Sequence, residues 1–150
     1  MAEQDSLITE EMKKAVGVGS EPVTYEVERG HIKRFAEAID DPNPLWNDEA
    51  EARKTPYGGV VASPTFLRAC EARPLAKLEY PVERGLDAGS EWEYFQPVRP
   101  GDTITVVQKI SDFTEKQGRL GMMLLETTET TYTNQLDELV AKQIATGIYY

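Results

Sequence analysis

The two halves of this chain carry different periodicities, and that division constrains the fold more than any single motif. From about residue 89 onward the sequence is β-branched and aromatic runs separated by short polar turns. Glu91-Trp92-Glu93-Tyr94-Phe95 partly alternates, and residues 97–101 make a Pro- and Gly-bearing turn. Residues 103–113 are a β-branched run, residues 116–119 a hairpin tip, and residues 120–133 a long strand rich in Thr, Leu and Met. Residues 134–138 turn the chain into a last strand over 139–150. Helical patterns crowd the first half, so the expected class is α+β, not an alternating βαβ arrangement. Long strands joined by short turns form an antiparallel meander, and one sheet face then needs a helix to cover it.

The first half supplies that cover. Residues 6–16 read as a short helix with Ile8, Met12, Ala15 and Val16 on one stripe and Gly17 as its stop. A half-buried strand follows over 23–27. The clearest helix places Ile32, Phe35, Ala36 and Ile39 at i, i+3, i+4 and i+7, and Asp40-Asp41-Pro42-Asn43-Pro44 ends it. Residues 48–53 read as one or two further turns. After Tyr57-Gly58-Gly59 and the apolar Val60-Val61-Ala62, Ser63-Pro64 reads as a helix start, with Ser as N-cap and Pro at the first helical position. Phe66, Leu67 and Cys70 give this helix its apolar face, and Arg73-Pro74 stops it. The 150 residues are expected to form one domain, with residues 1–21 as an N-terminal helical extension.

Sixteen Lys plus Arg stand against 26 Asp plus Glu, a net charge of -10, which argues against nucleic-acid binding and against a polybasic membrane contact. One cysteine, Cys70, allows no intrachain disulfide, and one histidine, His31, leaves no set for a Cys- or His-rich metal site. Cys70 reads as a small packing residue, since a catalytic thiol needs an activating neighbour. With no apolar signal core and no long apolar run, the expected location is the cytoplasm.

The stretch F-A-E-A-I-D-D-P-N-P-L-W-N-D over residues 35–48 resembles the MaoC-like acyl dehydratases, or (R)-specific enoyl-CoA hydratases, whose signature is F-A-x-x-[small]-x-D-x-N-P-[IL]-H-x-D. Asp41, Asn43, Pro44, Leu45 and Asp48 match it. Y-G-G-V-V-A-S-P-T-F over 57–66 is similar to the family's F-G-x-x-[IV]-A-H-G-M, and V-R-P-G-D-T-I-T-V over 98–106 to its P-V-x-x-G-D-x-[IL]. The resemblance covers roughly residues 22–150. It implies a hot-dog fold, a sheet of about five antiparallel strands wrapped around a central helix, working as a dimer or double domain with sites at the interface. The implied reaction adds water to the double bond of an enoyl thioester, or removes it. Hydration needs a base for the water, an acid for the α-carbon and donors for the enolate oxygen. In the family an Asp-His dyad and a backbone N–H at the start of the central helix supply these.

Two positions depart from that pattern. Trp46 stands at the family's histidine, and an indole is a donor only. Ser63-Pro64 stands at the family's His-Gly, and proline has no N–H to offer. The amides of Thr65 and Phe66 remain nearby as weaker donors. Such departures resemble the FAS1-like dehydratase N-terminal type, in which one hot-dog subunit lacks the dyad and pairs with one that has it. The resemblance implies no cofactor beyond the coenzyme A thioester as substrate, no metal, and as partners a dyad-bearing hot-dog subunit and an acyl-CoA or acyl-carrier-protein substrate. Asp41 is then a vestigial dyad position, and Asp41, Asn43, Trp46, Ser63, Thr65 and Phe66 are the expected substrate-binding residues.

Simpler roles compete with these. Asp41 suits an Asx-type turn at a helix end, Asp48 an N-cap, and Trp46 either core packing or the wall of an acyl channel. His31 is expected to be exposed, and Arg68, Arg73, Lys77 and Arg84 to be solvated surface charge. Rival functions are a homodimeric acyl-CoA-binding module without turnover and a hot-dog thioesterase using Asp41 as base.

Overall fold

The computed structural model describes residues 6–150. Five strands form one antiparallel sheet: β1 (Val23–Glu26), β2 (Gly85–Tyr94), β3 (Thr103–Gly118), β4 (Gly121–Thr133) and β5 (Leu139–Tyr149), in the order β1-β3-β4-β5-β2. The meander of β3, β4 and β5 is the one the turn signals describe. Its hairpin tip is tighter than expected, because β3 runs on through Lys116 and Gln117, which pair with Met123 and Met122. Asp137, in the left-handed region at φ 57, closes the turn between β4 and β5. β2 begins six residues before the alternating Glu91 stretch, and pairing with β5 extends it across residues without a strand signature.

Four short α-helices precede the meander: α1 (Glu10–Ala15), α2 (Arg29–Ala38), α3 (Pro44–Asn47) and α4 (Glu49–Ala52). The Thr9 side chain caps α1 by accepting from the Met12 amide at 3.2 Å, and acidic first-turn and basic last-turn residues complement its dipole. α1 is shorter than the 6–16 stripe; residues 1–5 of the N-terminal extension lie outside the described residues. α2 buries Ile32 and Ala36 and ends where Asp40 adopts φ 53, with the Asp41 amide donating back to the Ala36 carbonyl at 2.9 Å. That left-handed closure, more than the prolines, stops the helix and delivers Asp41 to the loop.

The helix expected from Ser63 to Arg73 is a 3-10 helix of six residues, Pro64–Ala69. Ser63 does not cap it through its side chain, and residues 70–84 have no regular structure. Arg73 before Pro74 disfavours helical continuation, and an extended path seats Leu75, Leu78 and Tyr80 against the sheet. Two apolar clusters result. The larger joins α2 and the 3-10 helix to the sheet through Ile32, Phe66, Leu67, Ile104, Val106 and Tyr132; the smaller holds Met12, Ile110, Phe113 and Leu124 under α1. The class is α+β and the arrangement is the hot-dog fold, with a 3-10 segment where a long helix was expected. No helix among the described residues is long and apolar enough to cross a membrane.

Candidate functional site

The loop after α2 is locked by its own polar side chains. Asp41 Oδ1 accepts from the Asn43 amide at 3.1 Å, the expected Asx turn, and Asn43 Oδ1 accepts from the Leu45 amide at 3.0 Å, capping α3. Asn47 Nδ2 donates to the carbonyls of Asp41 and Asn43 at 2.9 and 2.8 Å. Asp48 caps α4 by accepting from the Glu51 amide at 3.2 Å. The one-turn helix α3 was not expected from a Pro-flanked stretch. It forms because Pro44 takes the first helical position, where its missing N–H costs nothing. Its effect is to turn Trp46 inward.

Three separate sequence motifs meet around Trp46. The Val61 amide donates to the Leu45 carbonyl at 3.1 Å and the Ala62 amide to the Val98 carbonyl at 2.8 Å, so the 60–62 run is held between the other two. Glu49 fixes the same run from α4: its carboxylate accepts from the Val60 amide at 3.2 Å and from Arg53 Nε at 3.0 Å. Those bonds, the Arg53 one foremost, hold the Glu49 carboxyl below its ordinary value. The turn at Gly101 (φ 91) is closed by Asp102, whose carboxylate accepts from the Arg99 amide at 2.8 Å, and Arg99 reaches the Tyr57 carbonyl at 2.6 Å.

Between them lies a mainly apolar cavity of about 250 Å³, walled by Leu45, Trp46, Ser63, Pro64, Tyr94 and Phe95 among others. Trp46 Nε1 and Ser63 Oγ are both buried without a hydrogen-bond partner among the described residues. Two orphaned polar groups on one cavity are uncommon in a folded interior, where nearly all such groups are satisfied.

Of the expected site residues, Trp46 and Ser63 come together here. Asp41 and Asn43 do not line the cavity; their oxygens face backbone amides of the loop. Thr65 is exposed, and the Phe66 amide already donates to the Ser63 carbonyl at 2.9 Å. The Phe66 ring packs edge-on against Phe35 at 5.7 Å and lines a different hollow beside α2. His31 is exposed beside Glu28 at 3.5 Å, and Arg68, Arg73, Lys77 and Arg84 are exposed. Cys70 is buried, which pushes its thiol up to about 11, as suits a packing residue. Among the described residues no three His, Cys, Asp or Glu side chains gather as a metal site. Tyr94 to Val98 complete the wall where β2 ends; Val98 is buried, while Tyr94 and Phe95 stay about half exposed.

The family model for the FAS1-like, dehydratase domain region matches residues 14–143. The chain belongs to that family. It is 31% identical over 144 residues to a probable enoyl-CoA hydratase alpha subunit from Thermomonospora curvata, covering 83% of this chain but 44% of that relative. Among solved structures it is similar to the MaoC-like dehydratase from Rhodospirillum rubrum, at 30% identity and TM-score 0.71, covering 91% and 92% of the two chains. It also shares the fold of a chain in the ChsH1-ChsH2 complex from Mycobacterium tuberculosis, at 21% identity and TM-score 0.74 over 88% and 84%. The family places the chain among proteins with a hydro-lyase kind of chemistry.

Proposed function

We propose that this protein is the pocket-forming, non-catalytic subunit of a heteromeric enoyl-CoA hydratase or 3-hydroxyacyl thioester dehydratase, and that a second hot-dog subunit supplies the Asp-His dyad. The observation that carries this reading is the placement of Trp46: an indole, not an imidazole, occupies the turn after Asn43-Pro44 and walls the cavity beside Ser63-Pro64. The chain's single imidazole, His31, stands exposed on α2, outside that cavity. An indole cannot take a proton from water near neutral pH, and Pro64 has no amide to place against an enolate oxygen. Each loss removes about 10²-fold or more of rate, so a complete site needs residues from elsewhere.

Two further points support the subunit reading. A relative in the same family carries the name of an alpha subunit. The mainly apolar cavity beside Trp46 suits an acyl-CoA or acyl-carrier-protein thioester as substrate. A cytoplasmic location suits such a substrate. The thioesterase alternative is weakened because Asp41 Oδ1 faces the Asn43 amide and Asp41 does not line the cavity.

The test is an enoyl-CoA hydration assay on the purified chain alone and co-expressed with the product of the adjacent gene. Activity only in the co-expressed sample is expected. Full hydratase activity from the lone chain would refute the proposal; hydrolysis of acyl-CoA by the lone chain would favour the thioesterase, and tight binding of CoA thioesters by a stable homodimer without turnover the binding module.

A further inference from the structure

The inner face of the sheet changes character between its two apolar clusters. Gln108 of β3 pairs in register with Thr130 of β4, and Thr130 pairs in register with Gln143 of β5. Directly paired residues share a face, so three polar side chains form one row across three adjacent strands. The row on one side, Val106, Tyr132 and Ala141, is apolar, and the row on the other is Ile110, Thr128 and Ala145. Thr130 is 3% exposed and Gln143 is 8% exposed. Gln108 Nε2 donates to Thr130 Oγ1 at 3.2 Å, which engages two of the three. The Gln143 amide takes part in no hydrogen bond with another described residue, and it faces a cavity of about 300 Å³ floored by the whole row.

This cavity lies at the other end of the short 3-10 helix from Trp46. Pro64 and Leu67 wall the first cavity; Arg68 and Cys70 wall the second. Its rim is held by the Tyr25 hydroxyl, which donates to the Glu71 carbonyl at 2.7 Å. The two cavities share an aromatic partition, since Trp92 stacks on Tyr94 of the first at 5.8 Å and on Tyr132 of the second at 5.5 Å. The Gln143 side-chain amide is reachable from this cavity, where its two donors and one acceptor can meet a polar group.

We infer that the Gln108-Thr130-Gln143 row is a specificity subsite for an oxygen-bearing acyl group, one with a hydroxyl or keto oxygen remote from the thioester. The inference rests on the acyl-thioester reading above. An unsubstituted alkyl chain would leave Gln143 unmatched, whereas a hydroxyl or keto oxygen meets its amide. A single well-placed neutral hydrogen bond is worth about tenfold in affinity.

The experiment is isothermal titration of the full chain, as purified and as co-purified with its dyad-bearing partner, using dodecanoyl-CoA and ω-hydroxydodecanoyl-CoA. The hydroxylated thioester is expected to bind about tenfold more tightly. In Gln143→Leu the preference is expected to vanish. Equal affinities in the wild type, or a preference that survives Gln143→Leu, would overturn the subsite while leaving the proposed function standing. Failure of both thioesters to bind in both preparations would overturn the proposed function and the subsite with it. Should Gln143→Leu fail to fold, the wild-type comparison decides by itself.

Discussion

The Val61 amide donates to the Leu45 carbonyl at 3.1 Å, and this one bond joins two sequence motifs sixteen residues apart in the chain. It explains why Trp46 and Ser63, each one residue or two beyond a bonded partner, share a cavity. The loop's own hydrogen bonds keep Leu45 where that bond can form.

Asn47→Ala removes both donations to the Asp41 and Asn43 carbonyls. A loss of about 1–2 kcal/mol is expected, with a thermal midpoint lower by roughly 2–8 °C for a chain of this size. Circular dichroism melting measures it. An unchanged midpoint would show that the loop holds its shape without Asn47.

Trp46→His places an imidazole in the loop but leaves Pro64 in place and Asp41 Oδ1 turned to the Asn43 amide. The lone variant is expected to stay within about tenfold of background in enoyl-CoA hydration, since an oxyanion donor is worth about 10²–10³-fold. A rise beyond a hundredfold would mean that the histidine was the sole missing part.

Cys70 is held near a pKa of about 11 by burial. At pH 8 only about a thousandth of the thiol is thiolate, and the residue is 4% exposed. Iodoacetamide is expected to leave the native chain unmodified by mass spectrometry and to label it fully in denaturant. Rapid native labelling would contradict the packing role.

Glu49 gives a pH test with a definite sign. Its folded carboxyl lies below the ordinary value of 4.5, so its contribution to stability is present above that value and is lost as pH falls through the folded one. Urea midpoints of the wild type and Glu49→Gln are therefore expected to differ most near pH 7 and to draw together as pH falls below 4.5 and through the folded value. A gap that widens on acidification would reverse the assignment.

The sheet and the loop were readable from local pattern, because β-branched runs, Asx turns and N-caps are decided by neighbours in sequence. Asp41, Asn43 and Asp48 each make the bond their type and position predict. Ser63 misled, since an N-cap residue with a buried, unpartnered hydroxyl looks identical in sequence to a capping one. The helix expected after it is a six-residue 3-10 helix, and the chain beyond runs without regular structure, with Leu75, Leu78 and Tyr80 packed on the second apolar cluster. Gln108, Thr130 and Gln143 were unreadable as a group: they sit on three strands, and only the register of β3, β4 and β5 aligns them. Thr130 lies in a strand that is Thr-rich in sequence, yet its side chain is buried.

β2 ends the sheet with one side bonded to β5 and no strand on the other among the described residues. Its surface is exposed almost from end to end. An unpaired ten-residue edge is a template for any extended segment that meets it, including another copy of itself. A chain with this edge unsealed is therefore expected to self-associate, and its soluble yield to rise with anything that covers β2.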